Sequence, residues 1–312
     1  MDTNLSTGLL TLESLELSDV YIYPAFVFGT LLYLWVLFCN LLILMTIICC
    51  KKMHKPMFML MCNLPISDIL GATGFYPHFV FSIVTQNRQI SYPACVTQAF
   101  TIHFYGSANL LILSAMAYDR YIAVCYPLRY NSIMSTCNLI RIIISVWFLS
   151  FLIIFVLILL LVQLTLCRTK IVDLFCNNPS LLKLTCQDTS VNNIYGLVML
   201  FVLQGIPMMI MLYTYGKILH TCVATSEAST RQKAFQTCSS HIIAYVILQV
   251  NTFVTLLAHR IDIVKPLVRR GLGLSVIFLP PLLDPIIYGL KTKELKDRLT
   301  IILKLIGSSS KM

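Results

Sequence analysis

The chain has 312 residues, 58% of them hydrophobic and only 12% charged, with a mean hydropathy of +0.82. A soluble domain cannot hide that much apolar surface, because surface-to-volume scaling leaves too much of it facing water, so the composition reads as a polytopic membrane protein. The net charge of +10 does not mark a nucleic-acid binder, since the 23 Lys and Arg sit in short clusters between long apolar runs and form no single face or tail.

The N-terminal tail, residues 1–22, has no Lys or Arg and carries Asp2, Glu13, Glu16 and Asp19. No basic stretch precedes an apolar core there, so no cleaved signal peptide is expected and the first span serves as signal anchor. Asn4-Leu5-Ser6 fits a glycosylation acceptor, which needs lumenal exposure. A spanning helix takes about 20 mostly apolar residues, and seven stretches meet that length. They run from about Tyr23 to Cys50, Met57 to Val84, Ala94 to Val124, Leu139 to Leu164, Ile194 to Leu219, His241 to Leu257 and Leu272 to Leu290. An all-α seven-helix bundle is thus expected over residues 23–290, with a cytoplasmic tail at 291–312. No segment repeats at a fixed period, which speaks against a solenoid or an inverted-repeat transporter.

Orientation follows from the Lys and Arg count. With the N-terminus outside, 15 of the 23 fall inside and 8 outside. Lys51-Lys52-Met53-His54-Lys55 fixes the first span. The loop bearing Arg260, Lys265, Arg269 and Arg270 runs against the rule but is outweighed by the first inner loop and the C-terminal tail. Cys95, Cys167, Cys176 and Cys186 all fall on the expected outer side, where disulfides persist. Four cysteines allow three pairings, and spacing does not choose among them. The other eight read as small hydrophobes, with acylation an alternative for Cys49 and Cys50 at the inner membrane edge.

Asn40, Asp68 and Asp284 lie inside expected spans, and an ionisable group in a bilayer is a functional candidate by default. Two readings compete: a sodium- or water-filled switch between helix arrangements, and a static hydrogen-bond cluster that glues helices together. Two carboxylates exceed what glue requires, which favours the switch. Pro207 interrupts the fifth span, and Pro280, Pro281 and Pro285 the seventh. Each proline removes a backbone bond and kinks its helix. Kinks near Asp284 and Tyr288 would let the inner halves of these helices move apart from the outer halves.

The third span ends in Met116-Ala117-Tyr118-Asp119-Arg120-Tyr121, followed by Ile122-Ala123-Val124-Cys125-Tyr126-Pro127-Leu128-Arg129-Tyr130. This resembles the MAYDRYVAIC signature of odorant receptors with its following PLRY. Further motifs fall in order. Pro56-Met57-Phe58-Met59-Leu60 through Ser67-Asp68 resembles PMYFFL…LSxxD, and Tyr213-Thr214-Tyr215 the fifth-helix SY pair with Thr for Ser. Lys233 to His241 is similar to KAFSTCxSH, and Pro281-Leu282-Leu283-Asp284-Pro285-Ile286-Ile287-Tyr288 to PPxxNPIIY. Together they cover nearly the whole chain. The stretch His54 to Phe79, with Gly74-Phe75-Tyr76-Pro77, looks closest to the subgroup of aquatic vertebrates. There are departures: Cys39-Asn40 replaces Gly-Asn, Asp284 replaces Asn, and Pro65 stands inside the second helix. Gln249-Val250-Asn251 replaces FYG, which removes a tyrosine that lies under the ligand in the family.

The resemblance implies a rhodopsin-like seven-helix receptor with a short amphipathic inner helix from Lys291 to Lys296. It implies a small-molecule odorant bound in the outer half and a stimulatory olfactory-type heterotrimeric G protein that raises cyclic AMP. It also implies the disulfides Cys95–Cys176 and Cys167–Cys186. Asp119, Arg120, Tyr121, Tyr215, Lys233 and Tyr288 would form the inner switch, with the Asp119 carboxylate holding the Arg120 guanidinium at rest. The basic inner surface suits an acidic partner face and anionic lipid of the bilayer.

By helical spacing, Ile102, His103, Gly106 and Ser107 face the outer pocket from the third span. Met199, Leu200 and Leu203 join from the fifth, and Gln249, Thr252 and Leu256 from the sixth. Ile102 stands where amine receptors carry an acid, which speaks against an aminergic ligand. His103 reads either as a donor to a ligand carbonyl or carboxylate, or as a satisfied interhelical bond. Arg260, Lys265, Arg269 and Arg270 around the mouth could steer anionic ligands. The rival readings are a same-fold chemosensory receptor outside the nose and a transporter. The transporter would need a polar path through the full depth of the bundle, whereas the polar residues cluster toward the inner half. No Gly-rich phosphate loop, HExxH metal pair or nucleophile elbow appears, so no enzyme, cofactor or metal site is expected.

Overall fold

The computed structural model describes residues 8–15, 18–224, 228–261, 263–291, 295–298 and 300, with backbone alone at 224, 228–238, 240, 259–260 and 290–291. Asn4 lies outside the described residues, as do the side chains of Lys233, Arg260 and Lys291. Seven helices are long and apolar enough to cross a membrane. They are α1 (Asp19–Cys49), α2 (Pro56–Thr85), α3 (Tyr92–Cys125), α4 (Thr136–Val162), α5 (Ser190–Val223), α6 (Ala228–Arg260, with His241–Ala258 the apolar part) and α7 (Pro266–Lys291). α3 packs against α2, α4, α5 and α6, and α7 closes the ring onto α1 and α2.

Proline and its consequences account for the irregular helices. α2 breaks at Cys62 into Pro56–Met61 and Asn63–Thr85. Pro65 has no N–H to offer the Met61 carbonyl, and its ring crowds that carbonyl. The Asn63 amide caps the break by donating to the Met59 and Leu60 carbonyls at 2.8 and 3.2 Å. Its oxygen accepts from the Trp147 indole at 2.8 Å, which ties the break to α4. In α5 the turn Phe201–Gly205 widens into a π-helix just ahead of Pro207. Ser190 starts α5 by donating its N–H and hydroxyl to Asp188 at 3.0 and 2.6 Å, and those bonds hold the Asp188 carboxyl below its ordinary range.

α2 and α3 approach unusually closely. A Cβ on Gly71 would stand 2.4 Å from Cγ of Tyr105, so only glycine fits there while Tyr105 keeps its place. After α7, Leu295 is buried against the bundle and Thr300 bonds to the Lys296 carbonyl at 2.8 Å.

The N-terminal segment holds a strand where the sequence suggests only a tail. Leu9–Thr11 is a strand, β1, paired antiparallel with β2 (Gln89–Ser91) between α2 and α3, with Leu10 opposite Ile90. On its other side Thr11 exchanges backbone bonds with Thr169 and Ile171 of the loop between α4 and α5. Leu10 and Leu12 alternate inward onto the core, which is the period-two pattern that selects a strand. Gly8, at φ 65, makes the turn into β1 and accepts the Tyr92 N–H. The disulfides Cys95–Cys176 and Cys167–Cys186, with Cα–Cα separations of 5.3 and 5.9 Å, pin the same loop to α3 and to itself.

Candidate functional site

At the disulfide-bearing end the loop between α4 and α5 folds inward as a lid. Cys176 donates its N–H to Gln98 of α3 at 2.9 Å. Phe175 is buried against Phe75 of α2. Asp173 organises the lid from within. Its carboxylate accepts from the Asn177 amide at 3.0 Å and from the Ser180 hydroxyl, and it pairs with Arg269 of α7 at 3.8 Å. Glu13 pairs with Arg270 at 3.3 Å and with Lys170 at 3.8 Å. Two of the four cations expected to steer anionic ligands are therefore engaged in internal ion pairs, because the lid brings Asp173, and the N-terminal segment Glu13, over the start of α7.

Beneath the lid lies a cavity of about 110 Å³. Ile102, His103, Gly106 and Ser107 line it from α3, Met199, Leu200 and Leu203 from α5, and Thr252 and Leu256 from α6. The structure thus brings these expected pocket residues together. Gln249 is placed elsewhere. Its amide donates to the Gln204 carbonyl at 3.0 Å, and the residue borders a separate crevice between α5 and α6. Gln249 stands about 60° round α6 from Thr252, and its amide finds the Gln204 carbonyl on α5, which holds it away from the cavity.

Gln204 takes the polar position instead, donating to the Thr252 hydroxyl at 2.9 Å while its own oxygen has no partner among the described residues. Sequence reasoning missed it, although an uncompensated amide inside an apolar span was a usable signal. Gly273, Val276 and Ile277 of α7 and Phe175 of the lid were missed as well. His103 accepts the Asn178 N–H at 3.2 Å, so the imidazole supports the lid. The other described residues that line the cavity are neutral, and the apolar ones predominate.

At mid-depth Asp68 is fully buried and accepts from the Asn109 amide at 2.8 Å. Asp284 is buried as well, and one oxygen of each carboxylate has no partner among the described residues. The α7 prolines explain the surrounding bonds. Pro285 cannot donate to the Pro281 carbonyl and Pro280 cannot donate to that of Val276, so both carbonyls lose their helical partner. Asn40 of α1 donates to the Pro281 carbonyl at 3.0 Å, and the Tyr105 hydroxyl of α3 donates to the Val276 carbonyl at 3.2 Å. Two neighbouring helices thus bond the kinked segment directly. Asn109 and Tyr105 were not anticipated. Both are polar residues inside a span, which is the usable signal in the sequence.

At the opposite end Asp119 is fully buried and accepts from the Tyr130 hydroxyl at 2.8 Å. Among the described residues no ion pair joins Asp119 to Arg120. The clasp is therefore not present as a direct ion pair, and the Tyr130 hydroxyl is the donor that holds the carboxylate. Burial, and then the neighbouring Asp119, push the Tyr130 phenol above its ordinary range, which keeps it a donor. Tyr121 bonds to the Tyr126 hydroxyl at 3.3 Å and packs on Tyr213 with ring centroids 5.8 Å apart. Tyr288 is buried with its ring 5.4 Å from that of His241, and Tyr215 packs on the same core. The side chain of Lys233 lies outside the described residues.

Comparison with known proteins bears on the whole bundle. Residues 29–305 match the family model described as olfactory receptor. Olfactory receptor 1M1 of Mus musculus is 34% identical over 87% of this chain and 87% of its own length. Olfactory receptor 52Z1P of Homo sapiens is 34% identical over 84% of this chain and 88% of its own, and olfactory receptor 51E2 of Homo sapiens 32% identical over 88% and 86%.

Proposed function

This chain belongs to the olfactory receptor family, and from that membership we propose that it binds a small, largely apolar odorant in the cavity under the lid and activates a heterotrimeric G protein at the Asp119–Arg120 end, raising cyclic AMP. The observation that carries the reading is the cavity itself, enclosed by α3, α5, α6, α7 and the lid, apolar apart from a few neutral donors and acceptors. Such a site suits a neutral molecule bearing one hydrogen-bonding group, for which Gln204 Oε1 waits as an acceptor. The N-terminus and the disulfide-bearing loops face outward, and the C-terminus faces the cytoplasm at the plasma membrane. The chain is a receptor and not an enzyme.

Signalling is a population shift. A ligand held more tightly by one arrangement of the helices draws the ensemble toward it. α7 is the natural moving part, because its prolines replace intrahelical bonds with bonds to α1 and α3, which can exchange. Asp68, Asn109 and Asp284 stand at that joint, and Tyr288 lies one turn beyond.

The test is co-expression with a stimulatory olfactory-type G protein and a cyclic AMP readout against a broad odorant panel. A response that vanishes in Arg120→Ala and in Gly106→Leu, with surface expression kept, supports the reading. A Cβ at Gly106 meets nothing within 4 Å, so leucine there fills the cavity without displacing a neighbour at its root. Silence of the surface-expressed wild-type chain across the panel, with no other G-protein class responding, would overturn it.

A further inference from the structure

α5 lies closely along α3 but meets α6 only sparsely. Between α5 and α6 a crevice of about 580 Å³ remains, which shares no lining residue with the cavity under the lid and adjoins it only through the bond from Gln249 to the Gln204 carbonyl. Its rim carries Leu212, Leu219 and Val250, each more than half exposed on the face of a membrane-spanning helix, so the crevice opens to the bilayer. Among the described residues no charged side chain lines it, which disfavours an ionised head group.

Tyr215, Tyr245 and Gln249 are polar side chains in this apolar wall. Tyr245 is only 4% exposed, and its hydroxyl has no hydrogen-bond partner among the described residues. Gln249 has its amide nitrogen bound to the Gln204 carbonyl at 3.0 Å, while its Oε1 has no partner. The two stand four positions apart, one above the other on the same face of α6. A buried polar group without a partner carries a cost that a bound molecule can remove. The acyl chains of ordinary phospholipids cannot do so, because they bring no donor to Gln249 Oε1.

The geometry points to a second ligand site, open to the bilayer between α5 and α6, that takes a lipophilic alcohol. The long apolar body lies along the crevice, and its hydroxyl donates to Gln249 Oε1 while accepting from Tyr245. Tyr215 lines the same crevice, so occupancy bears on how α5 pairs with α6. The site does not depend on which odorant the outer cavity takes.

The experiment is photolabelling of the full-length protein in phospholipid nanodiscs with hexadecan-1-ol carrying a mid-chain diazirine. Saturable labelling of α5 and α6 peptides is expected, competed by unlabelled hexadecan-1-ol and not by hexadecane. Gly216 borders the crevice and a Cβ there meets nothing within 4 Å, so Gly216→Leu fills the site and removes most of the specific labelling. Gly106→Leu, which blocks only the outer cavity, leaves labelling at the wild-type level even if the odorant response is lost. Gln249→Leu removes the acceptor and abolishes the advantage of the alcohol over the hydrocarbon, and it decides the matter if Gly216→Leu does not fold. Labelling that is not saturable, that hexadecane competes equally well, or that survives both variants would mean bilayer lipid filling only and would overturn the assignment.

Discussion

Removing the Tyr105 hydroxyl tests the account of α7 most directly. Tyr105 is wholly buried, and its hydroxyl meets the Val276 carbonyl that Pro280 leaves without a helical donor. Tyr105→Phe keeps the ring, and with it the close approach to Gly71, and deletes only this bond. An interhelical hydrogen bond in a membrane protein contributes roughly 0.6 kcal/mol on average and up to about 1.7. Leaving a buried acceptor unpaired costs about 1–3 kcal/mol. The expected loss is therefore about 1–2 kcal/mol. The second arm is Pro280→Ala, which restores an N–H that can reach the Val276 carbonyl along the helix. In that background Tyr105→Phe should cost close to nothing, giving a coupling of about 1–2 kcal/mol in a double-mutant cycle. The assay is reversible unfolding of the purified chain in mixed micelles, read for all four proteins. An equal cost in both backgrounds would show that Tyr105 stabilises the bundle by packing and not as the partner of an orphaned carbonyl.

Other outcomes are expected from the same structure. Asp173→Ala removes the acceptor for Asn177, Ser180 and Arg269 at once, and breaking a buried pair of this kind costs about 3–5 kcal/mol; surface expression should fall sharply, whereas Glu13→Gln, at a more exposed pair, should cost under about 1 kcal/mol. Tyr130→Phe leaves Asp119 without its donor, so basal cyclic AMP should rise with no added ligand; an unchanged baseline at equal surface density would refute a restraining role for that bond. Peptide mapping without reduction should link Cys95 to Cys176 and Cys167 to Cys186, and a Cys95–Cys167 peptide would contradict the pairing. Losing the first bridge frees a separation of 81 residues, about 4.5 kcal/mol by chain entropy, so Cys95→Ser should fail to reach the surface.

Much of the bundle was legible from hydropathy because a membrane span is a long-range average: some 20 residues contribute, and no single side chain decides the outcome. The ends were less legible. α1 begins at Asp19 and α6 continues well past its apolar part to Ala228, since a helix persists beyond the bilayer wherever nothing breaks it. β1 was hidden for a different reason. Three residues with one alternation carry too little pattern to separate a strand from a tail, and the strand exists because two loops distant in sequence supply its partners.

The site divides along the same physical line. Pocket residues given by helical period came together where their helix was regular, as on α3. Gln249 was misplaced because its amide bonds to the Gln204 carbonyl of α5, a tertiary contact that periodicity cannot register. The prolines of α7 were readable as kinks, but a kink is only half of the chemistry. The other half is where the stranded carbonyls find donors, and those donors sit 171 residues away on α3 and 241 residues away on α1. Tyr105 and Asn40 therefore acquire their meaning from Pro280 and Pro285. A seventh helix bonded to its neighbours in place of itself can shift by exchanging those bonds, which is why the residues that let it move are found outside it.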